Sequence, residues 1–237
     1  MLFRSLLMFK VSLTSIPPRF DKLIHLQPFM YLCVPKTYQR FPEWNGIIPN
    51  VQCNVVRCDE DLGPATKIFP LALQSDPEDI LVYIDDDTYY DPLLLQTLAK
   101  WVEAEPDTVW GTSGFTLKNY FNKTYPRGHC ETVDVIEGYG AVATKAKWFQ
   151  KIYKEFLELK DEAKYADDLI ISNLLEGIGV PRKTVFSKYC NVGMIQQYTF
   201  GFESDSLHRQ TPGGHHESYS NILKTLSAKG KNYLEGK

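Results

Sequence analysis

Residues 80–91 constrain the fold more than any other part of the sequence, because five apolar residues run directly into three adjacent carboxylates at 85–87. A short apolar run with β-branched and aromatic members predicts a strand that is buried on both faces. Asp91 and Pro92 then supply an N-cap and a favoured first helical residue, so a helix is expected over 93–104. The acidic run is therefore expected at the carboxyl end of a central strand, where open α/β sheets bind their ligands.

The acidic run predicts a metal site. Carboxylates a few ångströms apart disfavour joint ionisation, and a hard divalent cation removes that cost. Oxygen ligands suit Mg²⁺ or Mn²⁺. Because strand side chains alternate, Asp85 and Asp87 are expected on one side and Asp86 on the other. The pair could then share one metal ion whose other positions bind phosphate oxygens; the alternative is a solvated acidic turn.

Four more stretches accompany the acidic run in chain order: residues 12–20, 31–35, 62–67 (Leu-Gly-Pro-Ala-Thr-Lys) and 137–141 (Glu-Gly-Tyr-Gly-Ala). Together the five resemble the GT-A glycosyltransferases, whose Asp-x-Asp motif holds Mn²⁺ on a nucleotide-sugar diphosphate. A narrower likeness is to the glycosyltransferase domain with which large DNA viruses of the chlorovirus type decorate their capsid protein.

The resemblance covers about residues 8–186 and implies an α/β fold: a Rossmann-like, mixed but mainly parallel central sheet flanked by helices. A length of 237 residues suits one such domain. Within it, the resemblance implies a nucleotide-binding half at about 1–105 and a sugar- and acceptor-binding half at about 106–237.

The same resemblance assigns the donor site. Thr14, Ser15 and Arg19, in the turn after the first strand, are expected to contact the nucleotide, and a guanidinium can pair with a diphosphate through two hydrogen bonds. Asp61, before Gly-Pro, is expected to touch the nucleotide, and Lys67 its phosphates. The alternative for Thr14, Ser15 and Arg19 is a capped turn, and the alternative for Lys67 is a position on a solvated helix face.

Further residues are implied around the sugar. Asp86, Gly138 and Gly140 are expected at the nucleotide sugar, since glycine lets a backbone approach a ligand closely. Asp167 and Asp168 are the candidate catalytic residues, because GT-A enzymes carry an acidic pair at this helix start and inverting members use it as general base. An N-cap and a favourable first-turn charge are the alternative roles.

Two later features remain open. Several GT-A enzymes complete the metal shell with a late histidine, which nominates His215 beside Asp85 and Asp87; a turn before a final helix over 217–226 is the alternative. Aromatic residues in segment 120–130 could form an acceptor site or could be ordinary packing: Tyr120, Phe121 and Tyr125.

Composition excludes other classes. A net charge of −3 gives no basic stripe for nucleic acid. Five cysteines without a Cys-x-x-Cys pair predict reduced thiols rather than a zinc site or disulfide framework. The apolar N-terminus is broken by Arg4 and Lys10, and about 18 uninterrupted apolar residues occur nowhere, so we expect no membrane span and a cytosolic enzyme, in the host cytoplasm if viral.

The remaining pattern predicts the other elements. Strands are expected at 7–13, 30–34, 51–57, 107–112 and 133–136, and helices from Pro18, over 65–73, over 145–159 and from Asp167 to Gly177.

These features predict a metal-dependent glycosyltransferase that moves a sugar from a nucleoside-diphosphate sugar, UDP-linked by preference, to a glycan or protein-linked glycan. A sugar-phosphate nucleotidyltransferase is disfavoured, since residues 14–19 contain no glycine. A catalytically silent nucleotide- or sugar-binding module is the alternative from a different class.

Overall fold

The structure is a computed structural model that describes residues 9–23, 26–118, 131–185 and 214–237, with only the backbone given for 214–217. The strands are β1 (Phe9–Thr14), β2 (Met30–Pro35), β3 (Asn54–Cys58), β4 (Ile80–Tyr83), β5 (Val109–Gly111), β6 (Gly114–Phe115), β7 (Glu131–Thr132), β8 (Val135–Ile136), β9 (Val142–Lys145) and β10 (Arg182–Thr184).

The α-helices are α1 (Phe69–Leu73), α2 (Pro92–Ala104), α3 (Ala146–Glu158), α4 (Lys160–Ala163), α5 (Asp167–Gly177) and α6 (Gly214–Ala228). Short 3₁₀ helices lie at Pro17–Lys22, Gly63–Lys67 and Gly138–Gly140. In the described ranges no helix is long and apolar enough to cross a membrane.

The central sheet of the described residues has eight strands in the order β3-β2-β1-β4-β9-β5-β10-β7. β1 pairs in parallel with β2 and β4, β2 with β3, and β10 with β5, whereas β9 runs antiparallel to both of its neighbours. β6 and β8 form a separate antiparallel pair. The predicted fold class, a mixed and mainly parallel sheet flanked by helices in one domain, is confirmed.

The sheet is covered on both faces, which explains the unbroken apolar run of β4. Leu81 and Tyr83 pack into one core with α1, α3 and α5, while Ile80 and Val82 pack into the other with α2 and the 3₁₀ helix Pro17–Lys22. All four strand residues are buried. β4 therefore lies in the centre of the domain, and the acidic run begins two residues after the strand ends.

Two predicted helices differ from the observed ones. The helix expected over 65–73 is divided into Gly63–Lys67 and α1, because Pro70 in a continuous helix would clash with the carbonyl four residues earlier and could donate no hydrogen bond. The helix expected from Pro18 is a single 3₁₀ segment that ends at Lys22. Where the predicted strand ends fall in the described residues, they differ from the observed ends by at most three residues, against a usual uncertainty of one or two.

The last residues of the chain are held against α5, the helix that starts with the acidic pair. Asn173, which is fully buried, donates from Nδ2 to the carbonyl of Lys231 at 2.9 Å. Its Oδ1 accepts from the backbone N–H groups of Tyr233 at 2.8 Å and Leu234 at 3.3 Å. One amide thus satisfies three backbone groups of the following segment.

We expect Asn173→Ala to lower the free energy of unfolding by about 2–4 kcal/mol, because it leaves these backbone groups without their partners. Urea denaturation followed by circular dichroism measures the change. Asn221→Ala is the matched control: Asn221 is exposed on α6, so its replacement should change stability by less than about 0.5 kcal/mol. Equal stability of the two variants would contradict this role for Asn173.

Candidate active site

The acidic run lies at the carboxyl ends of β1 and β4, but it does not continue the strand. β4 ends at Tyr83, and Asp86 and Asp87 form a turn. The strict alternation expected for the three carboxylates therefore does not apply. The contacts of each aspartate are set by the loops that meet this turn.

Asp86 is a buried anchor. Its Oδ2 accepts a hydrogen bond from Ser15 Oγ, and its Oδ1 accepts one from Arg19 Nη1 at 3.0 Å. Burial raises the pKa of Asp86, although Arg19 and Ser15 act in the opposite direction. Both oxygens thus connect the acidic turn to the loop after β1, so Ser15 and Arg19 do lie beside the acidic run.

Asp87 also lies beside Arg19, and its side chain is more exposed than that of Asp86. Arg19 Nη1 lies 3.6 Å from its Oδ2, and the side chain is 22% exposed, against 8% for Asp86. Burial, followed by the charges of Asp85 and Asp86, raises the pKa of Asp87 to about 7. Asp87 is a carboxylate whose ionised form would gain from a further positive charge.

Lys67 lies on the other side of the turn. Its Nζ is 2.7 Å from Asp85 Oδ1 and 3.9 Å from Asp167 Oδ2, and its side chain is 6% exposed. Burial lowers the pKa of Lys67, but Asp85, Asp167 and Asp168 outweigh burial and keep the pKa well above its usual value. The solvated helix face, the alternative considered for Lys67, is therefore wrong.

The acidic pair begins α5 at the same place. Asp168 Oδ1 accepts from the N–H of Gly138 at 3.1 Å, and Asp167 Oδ2 is buried with no hydrogen-bond partner in the described part of the chain. Burial and then Asp167 raise the pKa of Asp168 well above its usual value, and burial also raises that of Asp167. Ala166 is the N-cap residue, so Asp167 is the first helical residue rather than the cap.

We call this group of seven side chains the acidic cluster: Asp85, Asp86, Asp87, Asp167, Asp168, Arg19 and Lys67. Its carboxylates outnumber its basic side chains by five to two. Added positive charge would offset the excess of carboxylates, and an oxygen-ligated divalent cation fits this donor set.

Gly138 and Gly140 pack closely against the cluster and its surroundings. A Cβ atom at Gly138 would lie 2.9 Å from Lys67 Nζ and 3.0 Å from Asp168 Oδ1, so a larger residue would displace a charged group. At Gly140 a Cβ would collide with Thr112, whose Oγ1 donates to the Gly140 carbonyl. Both glycines are required by the packing of the site itself.

Tyr90 is a site residue that the sequence analysis missed. Its buried hydroxyl accepts from the N–H of Asp85 at 3.2 Å and donates to the carbonyl of Tyr139 at 2.7 Å. It connects the acidic turn to the Gly138–Gly140 segment. The only sequence signal was a tyrosine close behind three acids, which does not distinguish it from Tyr89.

Two other nominated residues have hydrogen-bond partners outside the cluster, and the side chains of the rest are not described. Thr14 Oγ1 donates to the carbonyl of Cys33 at 2.8 Å, and the Asp61 carboxylate accepts from the N–H groups of Gly63 at 2.9 Å and Gln39 at 2.8 Å. His215 lies in α6, but its side chain is outside the described atoms, as are Tyr120, Phe121 and Tyr125 with their whole segment.

Metal binding by protein groups alone is not supported in the described ranges, where no three His, Cys, Asp or Glu side chains are arranged to hold a metal ion. Mg²⁺-type sites commonly use one or two carboxylates and take their remaining ligands from water and substrate phosphates. Asp85 and Asp87 fit that arrangement.

The protein has a GT-A fold. In the described residues its central sheet has eight strands, is mixed but mainly parallel, and carries an acidic run at the carboxyl end of the central strand β4. Comparison with solved structures agrees. The chain is similar to residues 1–349 of S. aureus TarS in complex with UDP-GlcNAc, with a TM-score of 0.54 and 11% identity over 93% of this chain and 66% of that chain.

Two further structures are more distant. A second TarS structure, in complex with UDP, gives a TM-score of 0.44 at 13% identity over 76% of this chain and 58% of that chain. The structure of GalNAc-T7 with UDP, GalNAc and Mn²⁺ gives a TM-score of 0.45 at 10% identity over 77% of this chain and 43% of that chain. The chain thus spans 43% to 66% of the length of these three chains. No protein-family model and no curated protein sequence matches it.

Proposed function

We propose that this protein is a metal-dependent glycosyltransferase that moves a sugar from a nucleoside-diphosphate sugar to a glycan or protein-linked glycan acceptor. One observation carries the proposal: Arg19, Lys67 and five carboxylates meet at the carboxyl end of the central strand of a GT-A fold. A UDP-linked donor is favoured, because TarS, which shares the fold, was solved in complex with UDP-GlcNAc.

Asp85 and Asp87 would hold the divalent cation, Mn²⁺ or Mg²⁺, together with oxygens of the donor. The cation would supply positive charge to the diphosphate as it departs. Asp86 has a different task, since Ser15 and Arg19 occupy both of its oxygens. It holds the acidic turn in place and keeps Arg19 beside Asp87.

Arg19 and Lys67 are the basic groups available to the diphosphate. Arg19 presents several donors from one planar group, which suits phosphate oxygens. Lys67 is a point charge at the opposite side of the turn, 2.7 Å from Asp85. Together they would offer positive charge to the leaving diphosphate.

Asp168 is the candidate base for the acceptor hydroxyl. The N–H of Gly138 fixes one of its oxygens, which leaves the other for a substrate. A raised pKa makes the ionised carboxylate a stronger base, and removal of a proton by such a group contributes about 10²–10⁴-fold to a rate. Asp167, whose Oδ2 has no hydrogen-bond partner in the described residues, could accept a sugar hydroxyl.

Calorimetric titration with UDP, GDP, TDP and CDP, each in Mn²⁺ and in EDTA, tests the proposal. We expect UDP to bind at least about tenfold more tightly with Mn²⁺, because carboxylates and phosphates share the ion. Incubation with UDP-sugars and glycan acceptors then separates a transferase from a silent binding module. Failure of every diphosphate to bind under both conditions would overturn the proposal.

A further inference from the structure

Lys67 has an unusual position for a phosphate-binding group, because its ammonium pairs with Asp85, one of the two carboxylates proposed to bind the cation. Its side chain is 6% exposed and its Nζ is 2.7 Å from Asp85 Oδ1. The backbone is also held: the Lys67 carbonyl accepts from Ser12 Oγ of β1 at 2.5 Å. The Lys67 side chain is therefore held in place by its neighbours and is largely shielded from solvent.

This position makes Lys67 and a divalent cation competitors for Asp85. A carboxylate that accepts a charge-assisted hydrogen bond from an ammonium is a weaker ligand for a metal ion, since the two positive groups repel each other at short range. The same ammonium lies 3.9 Å from Asp167 Oδ2. Lys67 thus already supplies, from within the chain, part of the positive charge that the acidic cluster requires.

We infer that Lys67 acts as an internal counter-ion that makes metal binding depend on the nucleotide. Without a nucleotide it occupies Asp85, and the cation binds weakly. A nucleoside diphosphate brings phosphate oxygens that attract the ammonium, which releases Asp85 for the metal ion. The inference rests on the proposed function and adds a regulation of metal uptake to it.

Cooperative binding follows from this arrangement. If the diphosphate increases the affinity for Mn²⁺ by some factor, then Mn²⁺ must increase the affinity for the diphosphate by the same factor, because binding free energies are linked. Part of that factor comes from the bridging of metal and phosphate, and part from the release of Asp85 by Lys67. Only the second part is lost when Lys67 is replaced by an uncharged residue.

The test is a titration of the nucleotide-free protein with Mn²⁺, followed by the loss of the free-ion signal in electron paramagnetic resonance. We expect Lys67→Met to bind Mn²⁺ alone at least about tenfold more tightly than the unaltered protein, since one buried positive charge beside Asp85 is removed. In the same variant, added UDP should increase the Mn²⁺ affinity by a smaller factor than in the unaltered protein.

Lys10→Met is the matched control. Lys10 pairs with Asp79 at the same distance of 2.7 Å, but it lies on β1 with Leu81 as its neighbour on β4, at the opposite end of these strands from the acidic run. The variant removes the same charge and an ion pair of the same length. Its Mn²⁺ affinity should remain within about twofold of the unaltered protein, because the Lys10–Asp79 pair is partly open to solvent and salt screens its charge from the acidic run.

Lys67→Gln gives the same comparison with a neutral side chain that can still donate to Asp85, and it replaces Lys67→Met if that variant does not fold. If the Lys67 variant that folds binds Mn²⁺ no more tightly than Lys10→Met does, the inference is overturned. That result leaves the proposed function intact as long as the unaltered protein binds UDP with Mn²⁺. Failure of every nucleoside diphosphate to bind, with and without Mn²⁺, would instead overturn the proposed function.

Discussion

Replacement of Asp87 by asparagine is expected to abolish the dependence of UDP binding on Mn²⁺, with a loss of at least about 100-fold in the Mn²⁺ affinity of the UDP complex. Mutation of a residue that only supports a metal ligand lowers the metal affinity by up to about 100-fold, so mutation of a metal ligand itself should lower it by at least as much. The amide has the same shape but carries no charge. Arg19 lies beside both Asp86 and Asp87, and of these two Asp87 has the more exposed side chain. Calorimetry with UDP at several Mn²⁺ concentrations measures the effect.

The control for this prediction is Asp91→Asn. Asp91 is four residues further along the same loop and its carboxylate accepts from the N–H of Leu93 at 2.8 Å as the N-cap of α2. Asparagine caps a helix about as well as aspartate, so this variant removes one nearby charge without removing a proposed metal ligand. Unchanged Mn²⁺ dependence in Asp87→Asn would mean that Asp87 does not bind the ion.

Local patterns in the sequence were sufficient for three of the elements that carry the site. The apolar run of β4, the cap at Asp91 and the acidic start of α5 are each encoded within a few residues. Such signals depend on side-chain periodicity and on backbone groups left unpaired at helix ends, which are the same in every fold. The fold class followed from them together with the resemblance.

The partners within the site could not be read from the sequence in the same way. Ser15 and Asp86 are 71 residues apart, and Lys67 and Asp85 are 18 apart. Their contacts depend on how far each loop extends past its strand, which periodicity does not determine. The alternation rule does not hold past the end of β4, and it could not show that Lys67 lies beside Asp85 while Arg19 lies beside both Asp86 and Asp87.

Asp61 and Pro70 show two different limits of sequence reasoning. Asp61 is assigned by resemblance, and the structure adds two backbone hydrogen bonds that hold its loop in shape, a role that the motif alone does not reveal. Pro70 supplies no N–H group to the helix predicted over 65–73, so the sequence itself contains the reason for the observed break.

Replacement of Asp168 by asparagine should separate chemistry from binding. We expect sugar transfer to fall by about 10³-fold or more, because the amide cannot accept the proton of the acceptor hydroxyl. The amide oxygen can still accept from the N–H of Gly138, so the segment that flanks Lys67 should keep its position. Affinity for UDP with Mn²⁺ should therefore change by less than about threefold, or 0.7 kcal/mol.

Asp161→Asn is the control, since Asp161 is an exposed acid in the first turn of α4 and should leave both transfer and binding unchanged. Asp167→Asn gives the informative contrast: Asp167 lies 3.9 Å from Lys67, so its loss should weaken donor binding as well as the rate. Rates of transfer at saturating donor, measured beside calorimetric affinities, distinguish the two roles. A variant Asp168→Asn that transfers sugar at an undiminished rate would remove Asp168 as the base and move that role to Asp167, whose carboxylate is the other one at the start of α5.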